Sequence, residues 1–191
     1  EWYMMFRSIM ITAAVLAMAG QILPLHAQQT ETPLPVLSAE QHPFLEWGGA
    51  YPRWSRMTPQ QGVADIRLAM QCAKQRLEAI CRLQPHETTW ENTFAEFDAL
   101  DVELSYADQL LSNLMYLMDS PEVRAAMEEV TPEMAEFSSS ITSNDRLWSV
   151  IRQAATQPWV RQLSPARQRF VQEVVDSFKD SGADLPADKK A

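Results

Sequence analysis

From Val63 the apolar residues recur in alternating steps of three and four: Val63, Ile66, Met70, Ala73, Leu77 and Ile80. At 3.6 residues per turn that spacing gathers them on one face of a helix. Asp65, Arg67, Lys74, Glu78 and Arg82 fall between them and belong to the solvent side of such a pattern. Thr58-Pro59 supplies a cap followed by a proline at the first helical position, and Pro85 marks the stop. A stripe of this kind must be covered by other elements. The covering elements are also helical, because no segment alternates with the period of a strand. The fold class is therefore all-α, an antiparallel, bundle-like set of helices.

The helices that follow are announced by their caps. Thr88-x-x-Glu91 reads as a capping box, and Phe94, Phe97, Leu100, Leu104, Ala107, Leu111, Leu114 and Met118 continue behind it as one helix. Its second half, Leu110 to Met118, is apolar on most sides and is expected to be deeply buried. Ser120-Pro121 starts another helix, which Pro132 either kinks or restarts with Thr131 as cap. A polar break from Ser138-Ser139-Ser140 to Ser143-Asn144 precedes a helix carrying Leu147, Trp148 and Ile151. Ser164-Pro165 opens the next, striped by Phe170, Val171, Val174, Val175 and Phe178, and Gly182 closes it. Leu185-Pro186 has the form of one more helix start.

The first 58 residues differ in kind. Arg7, the apolar run Ile9 to Leu25 and the small residue Ala27 describe a secretory signal peptide over residues 1–27, with cleavage after Ala27. The run is short of the ~20 residues a spanning helix needs and contains Gly20, Gln21 and Pro24. An exported, periplasmic protein with no stable membrane span after cleavage is expected. Residues 28–58 carry four prolines and Gly48-Gly49 and read as an extended, loosely ordered lead-in. Phe44, Leu45, Trp47 and Trp54 suggest that it packs against something later. Cys72 and Cys81 lie nine residues apart on one predicted helix, on opposite faces and ~13 Å apart along its axis. That is too far for a disulfide, so two buried free thiols are expected.

Composition removes several functions. With 25 acidic and 16 basic residues the net charge is -9, and no basic stripe offers itself to a nucleic acid. Of the three histidines, His26 lies in the signal segment, His42 in the lead-in, and His86 just before a helix. His86-Glu87 could open a His-Glu-x-x-His zinc motif, but position 90 is Trp, and both residues precede the helix instead of lying on it. No Ser sits in a nucleophile elbow, no Cys has a His partner, and no Gly-rich phosphate loop is present. Acidic pairs such as Asp98 with Asp101 and Glu128 with Glu129 fit solvated helix faces. No catalytic, cofactor-binding or metal-binding residue can be named, and no cofactor is expected on this chain.

Three blocks of sequence carry a resemblance. TWENT at residues 89–93 and the stretch MDSPEVRAAMEEVTPEMAEFSSSITSNDRLW at 118–148 are two of them. QRFVQEVVDSFKDSGADLPADKKA at 168–191, with its Ser-Gly-x-x-Leu-Pro before a Lys pair, is the third. In this order they resemble the N-terminal region of the thimet oligopeptidase and oligopeptidase A family. The resemblance implies a large, two-domain, mostly helical zinc metallopeptidase that cuts short peptides, with these helices forming one wall of its channel. It further implies that zinc and the catalytic His-Glu-x-x-His helix belong to a downstream domain, a missing partner of this chain. On that reading residues 59–191 are the N-terminal helical region of an exported oligopeptidase, truncated before the catalytic domain. The alternative is a complete, non-catalytic helical module that binds peptides or a partner.

Overall fold

The structure, a computed structural model, describes residues 41–46 and 51–185. The signal segment, Trp47, most of the lead-in and the helix start at Pro186 lie outside the described residues. Five long helices make up the fold: α1 (Pro59–Arg82), α2 (Val102–Met118), α3 (Pro121–Thr142), α4 (Asp145–Ala154) and α5 (Pro165–Asp180). Among the described residues there is no strand.

The helix starts are fixed by side-chain oxygens that accept otherwise unpaired backbone N–H groups. Thr58, Ser120, Asn144 and Ser164 do this for α1, α3, α4 and α5, each serving the third residue beyond it. Pro occupies the first helical position after Thr58, Ser120 and Ser164, where its missing N–H costs nothing. At the far end of α5, Gly182 adopts φ +83°. This lets its N–H reach the Lys179 carbonyl at 2.8 Å and the Ala183 N–H reach that of Phe178 at 2.9 Å, a paired C-terminal closure.

Four expectations need correction. The capping box lies one residue later than Thr88-x-x-Glu91. Thr89 accepts from the Asn92 N–H at 3.2 Å and Asn92 Oδ1 accepts from the Thr89 N–H at 2.8 Å, while Thr88 donates to the Pro85 carbonyl. The helix behind it is not continuous. A π-helical stretch Trp90–Ala95 runs into the short turn Glu96–Asp98, and the chain then breaks at residues 99–101 before α2. The break separates Phe94 and Leu100 from Leu104 and its successors, which pack in different places. Third, Ser138 to Ser140 are not a break; they lie inside α3, where Ser139 and Ser140 use backbone carbonyls and hydroxyls within the helix, and only Ser143 and Asn144 interrupt the chain. Finally, the end of α2 is not buried, as detailed below. The choice left open at Pro132 resolves as continuity. α3 passes through it, with Thr131 Oγ1 bonded to the Met127 carbonyl.

Contacts along α1 set the topology. Gly62 faces Leu111, Arg67 reaches Glu129 and Glu133, Lys74 lies 5.8 Å from the Phe137 ring centroid, and Arg76 pairs with Glu103. As α1 advances, α2 is therefore met in descending order and α3 in ascending order: α1 and α2 are antiparallel, α1 and α3 parallel. Two residues, Asp119 and Ser120, join α2 to α3.

Two hydrophobic cores result, and α1 belongs to both. Its first half contributes Val63, Ile66, Ala69, Met70 and Ala73 to a core shared with α2, α3 and Phe44 and Leu45 of the lead-in. Its last turns contribute Leu77, Ile80 and Cys81 to a core shared with Phe94, Leu100, α4 and α5. The second is ringed by aromatics: Trp148 stacks on Phe178 at 5.6 Å, and Phe94 meets the edge of Trp159 at 6.2 Å. The lead-in is less loose than expected. Phe44 is fully buried, so at this point it is part of the fold.

Candidate functional surface

The residues with chemical potential do not converge. His42 Nδ1 lies 2.8 Å from Asp65 Oδ1, Gln61 Nε2 donates to the same oxygen at 2.8 Å, and the Phe44 N–H donates to Oδ2 at 3.0 Å. Asp65 is 0% exposed, a correction to its assignment on the solvent face. A carboxylate that orients a histidine is also the rear half of a catalytic triad. Here the remaining bonds of Asp65 go to a neighbouring side chain and to the lead-in backbone, and among the described residues no hydroxyl or thiol is bonded to His42. The group is a latch that ties the lead-in to α1. Sequence reasoning missed it because two of its three donors, His42 and the Phe44 N–H, come from a segment more than 20 residues upstream; the local signals are Gln61, one helical turn before Asp65, and Gly62, which leaves room for Phe44.

The remaining candidates have structural partners. His86 sits in the short turn Pro85–Glu87, exposed and ahead of the helix. Cys72 and Cys81 are buried and unlinked, as expected. Burial pushes both thiols up, and the opposing pull of Arg76 on Cys72 and of Arg146 on Cys81 is the smaller effect. They are poor nucleophiles at neutral pH. Asp101 accepts from the Ser105 hydroxyl at 3.2 Å across the first turn of α2. Burial, and after it the Asp101 carboxylate, holds Asp98 above the usual carboxylate range. Glu128 is exposed, whereas Glu129 joins Glu133 on Arg67 in an ion pair between α1 and α3.

Zinc, which the resemblance assigns to the parent enzyme, can be tested against this donor set. Among the described residues no three His, Cys, Asp or Glu side chains converge on one point. His42 is committed to Asp65, and the two buried thiols are free, with Cys81 packed into the second core. These residues do not fit a zinc centre, and no reaction step is derived through one.

Two surface features remain. A polar cleft of about 300 Å³ lies where the end of α1 meets the Pro85 turn and α4, lined by Gln84, Thr88, Arg146, Ser149 and Gln153 among others. Much of its polarity is already used, Gln153 on Ser149 at 2.9 Å and Thr88 on the Pro85 carbonyl. The second feature is apolar. Tyr116, Leu117 and Met118, the last turn of α2, are 82%, 74% and 66% exposed, although Leu110, Leu111 and Leu114 on the same helix are buried. Met118, the last of them, lines a cleft of about 320 Å³ with Met57, Pro59, Leu114 and Val123. The burial expected for Leu110 to Met118 thus holds for its first turn alone, because α2 extends one turn past the residues that cover it. The stripe from Phe170 to Phe178, by contrast, is closed: Val171, Val174, Val175 and Phe178 are buried and Phe170 is partly covered.

The TWENT residues now have physical roles. Thr89 and Asn92 cap each other, and Asn92 Nδ2 also holds the Glu87 carbonyl at 2.8 Å. Trp90 takes the Arg167 guanidinium over its ring at 4.7 Å and meets Phe170 edge to face at 5.8 Å, joining the first and third of the sequence blocks. The family described as Neurolysin/Thimet oligopeptidase, N-terminal domain matches residues 66–190. Oligopeptidase A of Escherichia coli (strain K12) is 25% identical over 139 residues, 73% of this chain and 20% of the relative. The Probable cytosolic oligopeptidase A of Arabidopsis thaliana is 28% identical over 125 residues, covering 65% of this chain and 18% of its own length. The Organellar oligopeptidase A, chloroplastic/mitochondrial, of the same plant is 26% identical over 104 residues, 54% of this chain and 13% of its own. The chain spans about a fifth of the length of the first of these relatives. With the family match covering most of the helical region, this chain belongs to the neurolysin/thimet oligopeptidase family and corresponds to its N-terminal domain.

Proposed function

We propose that this chain is the N-terminal, non-catalytic part of an exported, zinc-dependent oligopeptidase that hydrolyses short peptides, and that its helices shape the approach to the substrate channel. The observation that carries the reading is the family match over residues 66–190 combined with the fraction of the relatives that it represents. Peptide hydrolysis is then a property of the complete enzyme, with the zinc ligands and the general base supplied by the larger remainder. The signal-like pattern of residues 1–27 supports export to the periplasm.

Reading the gene past the codon for Ala191 tests the central claim. A frame that continues to a His-Glu-x-x-His helix is the expected result; a stop codon there would overturn it in favour of a stand-alone peptide- or partner-binding module. Purified residues 28–191 are expected to show no zinc-dependent peptide cleavage, and chelator-sensitive hydrolysis by this piece would contradict the division of labour. Export is checked by N-terminal sequencing of the protein from a periplasmic fraction. Gln28 as first residue supports it, and an intact leader in the cytosol sinks it.

A further inference from the structure

We propose that the exposed end of α2, Tyr116, Leu117 and Met118 with the adjoining cleft over Leu114, Val123 and Met57, is the seat of an apolar element from the larger remainder of the same oligopeptidase chain. The proposal rests on the functional reading above and adds the place where that remainder docks.

Three observations lead to it. Among the described residues, every large exposed apolar side chain except Leu185 lies on one of two segments. Tyr116, Leu117 and Met118 are contiguous, and Tyr51 and Trp54 lie on the segment that runs directly into Met57 of the same cleft. Trp54 is three residues from Met57, so it stands within ~11 Å of it along the chain. Contiguous apolar patches of this kind mark interaction surfaces.

The patch is also preformed. Asp119 takes a left-handed conformation at φ 34° and returns its N–H to the Met115 carbonyl, and Ser120 starts α3 at once. The three side chains are thus held on a rigid helical turn and cannot fold back over their own core. A surface ordered before its partner arrives loses little conformational entropy on docking.

The lining chooses among occupants. Among the described residues Glu122 is the one charged residue lining the cleft, and Arg124 nearby is engaged by the Asp119 carboxylate and carbonyl. Among the described residues lining the cleft, the carboxylate terminus of a short peptide substrate has no cation to meet. A second copy packed about a two-fold axis would bring the same surface, with Asp119 and Glu122, against itself, in a chain of net charge -9. An apolar segment of the remaining polypeptide meets neither obstacle, and the relatives carry about four-fifths of their length beyond the part matched here.

The test uses the complete product of the gene and the 191-residue chain side by side, each with Leu117→Asp, Tyr116→Ser and, as a control on exposed α3 surface, Ser138→Asp. The expected result is that the two α2 variants leave the helicity and unfolding midpoint of the 191-residue chain unchanged. In the complete, peptide-cleaving product they should lower the midpoint by about 2 °C or more, while the control does neither. A complete product that is active and as stable with Leu117→Asp as with the control overturns the docking site and leaves the functional reading intact. A gene that stops at Ala191, or a complete product without chelator-sensitive peptidase activity, removes the functional reading and this occupant with it. A 191-residue chain that is dimeric by light scattering and becomes monomeric with Leu117→Asp, in the absence of any effect on the complete product, assigns the patch to a second copy. Loss of midpoint in the 191-residue chain for both α2 variants would place these side chains in its own fold and equally overturn the proposal.

Discussion

The two cores that share α1 are specified in different ways. The first is largely aliphatic, built from Val63, Ile66, Leu104, Leu111, Leu114, Val123 and Val130 with methionines at its edge. Such side chains are attracted without direction, and what fixes the lead-in over this core is a buried carboxylate with three donors. The second is rich in rings whose edges and faces interlock, Trp90 on Phe94 and Phe170, Phe97 and Trp148 on Phe178. Aromatic pairs have preferred mutual orientations, so this core has no buried Asp, Glu, Lys or Arg among the described residues and does not need one. Directional specificity is required in both; hydrogen bonds provide it in one and ring geometry in the other.

The largest effect that would break this comparison is expected in the aromatic core. Phe94→Ala removes a side chain that is 0% exposed and leaves Trp90 and Trp159 facing a void, a loss of about 3–5 kcal/mol in chemical denaturation. A loss below about 1 kcal/mol would mean that the rings repack freely. Asp65→Ala leaves the Phe44 N–H and His42 without their buried acceptor and should cost about 2–3 kcal/mol. In hydrogen exchange the amide of Phe44 should open before those of α4 and α5; simultaneous opening would show that the latch serves both cores equally. Gly62→Ala is smaller. A methyl there would stand 3.0 Å from Leu111 Cδ1 and 3.1 Å from Phe44 Cζ, both fully buried side chains that would have to shift by a few tenths of an ångström. Crowding therefore outweighs the gain in helix propensity, for a net loss of about 1 kcal/mol. A more stable protein would show that the lead-in can shift.

The smallest effect concerns pH, and its sign differs between the two regions. Glu133 is held below the usual carboxylate range by its bonds to Arg67. Its stabilising contribution is present above the unfolded value and fades as pH falls through the lower folded one. Asp98 is held above that range by burial and by Asp101, so its ionisation opposes folding at neutral pH, and the opposition is relieved as pH falls. Both carboxylates touch solvent and salt screens them. Asp98→Asn should raise the midpoint slightly at pH 7 and leave it unchanged at pH 3, whereas Glu133→Gln should lower it at pH 7 and by progressively less as pH falls. The same sign for both would refute the contrast.

How much of this could be read in advance follows from the range over which each determinant acts. The starts of α1, α3, α4 and α5 depend on residues three apart and were legible at Thr58, Ser120, Asn144 and Ser164. The Gly182 closure was legible for the same reason. The break at 99–101 was not, because Phe97, Leu100 and Leu104 continue the helical spacing through it; what diverts the chain is the separation of two cores, a tertiary fact. Asp65 looked like one more polar residue on the solvent face because two of its three partners are at positions 42 and 44, and only Gln61 is local. The exposure of Tyr116 to Met118 is equally illegible, since composition does not reveal where covering helices end. As for the candidate site, the family resemblance was carried by short motifs, and the surface that now stands out was carried by none.

One consequence of the shared helix concerns tolerance to insertion. Val63 and Ile80 feed different cores from a single 24-residue helix. Adding or deleting one residue between them would rotate one end by about 100° against the other. One core would then be presented with the polar face. The links between helices are free of this constraint, so changes in length among related sequences should collect at the loops and spare the interval from Val63 to Ile80, which acts as a phase gauge for the whole fold.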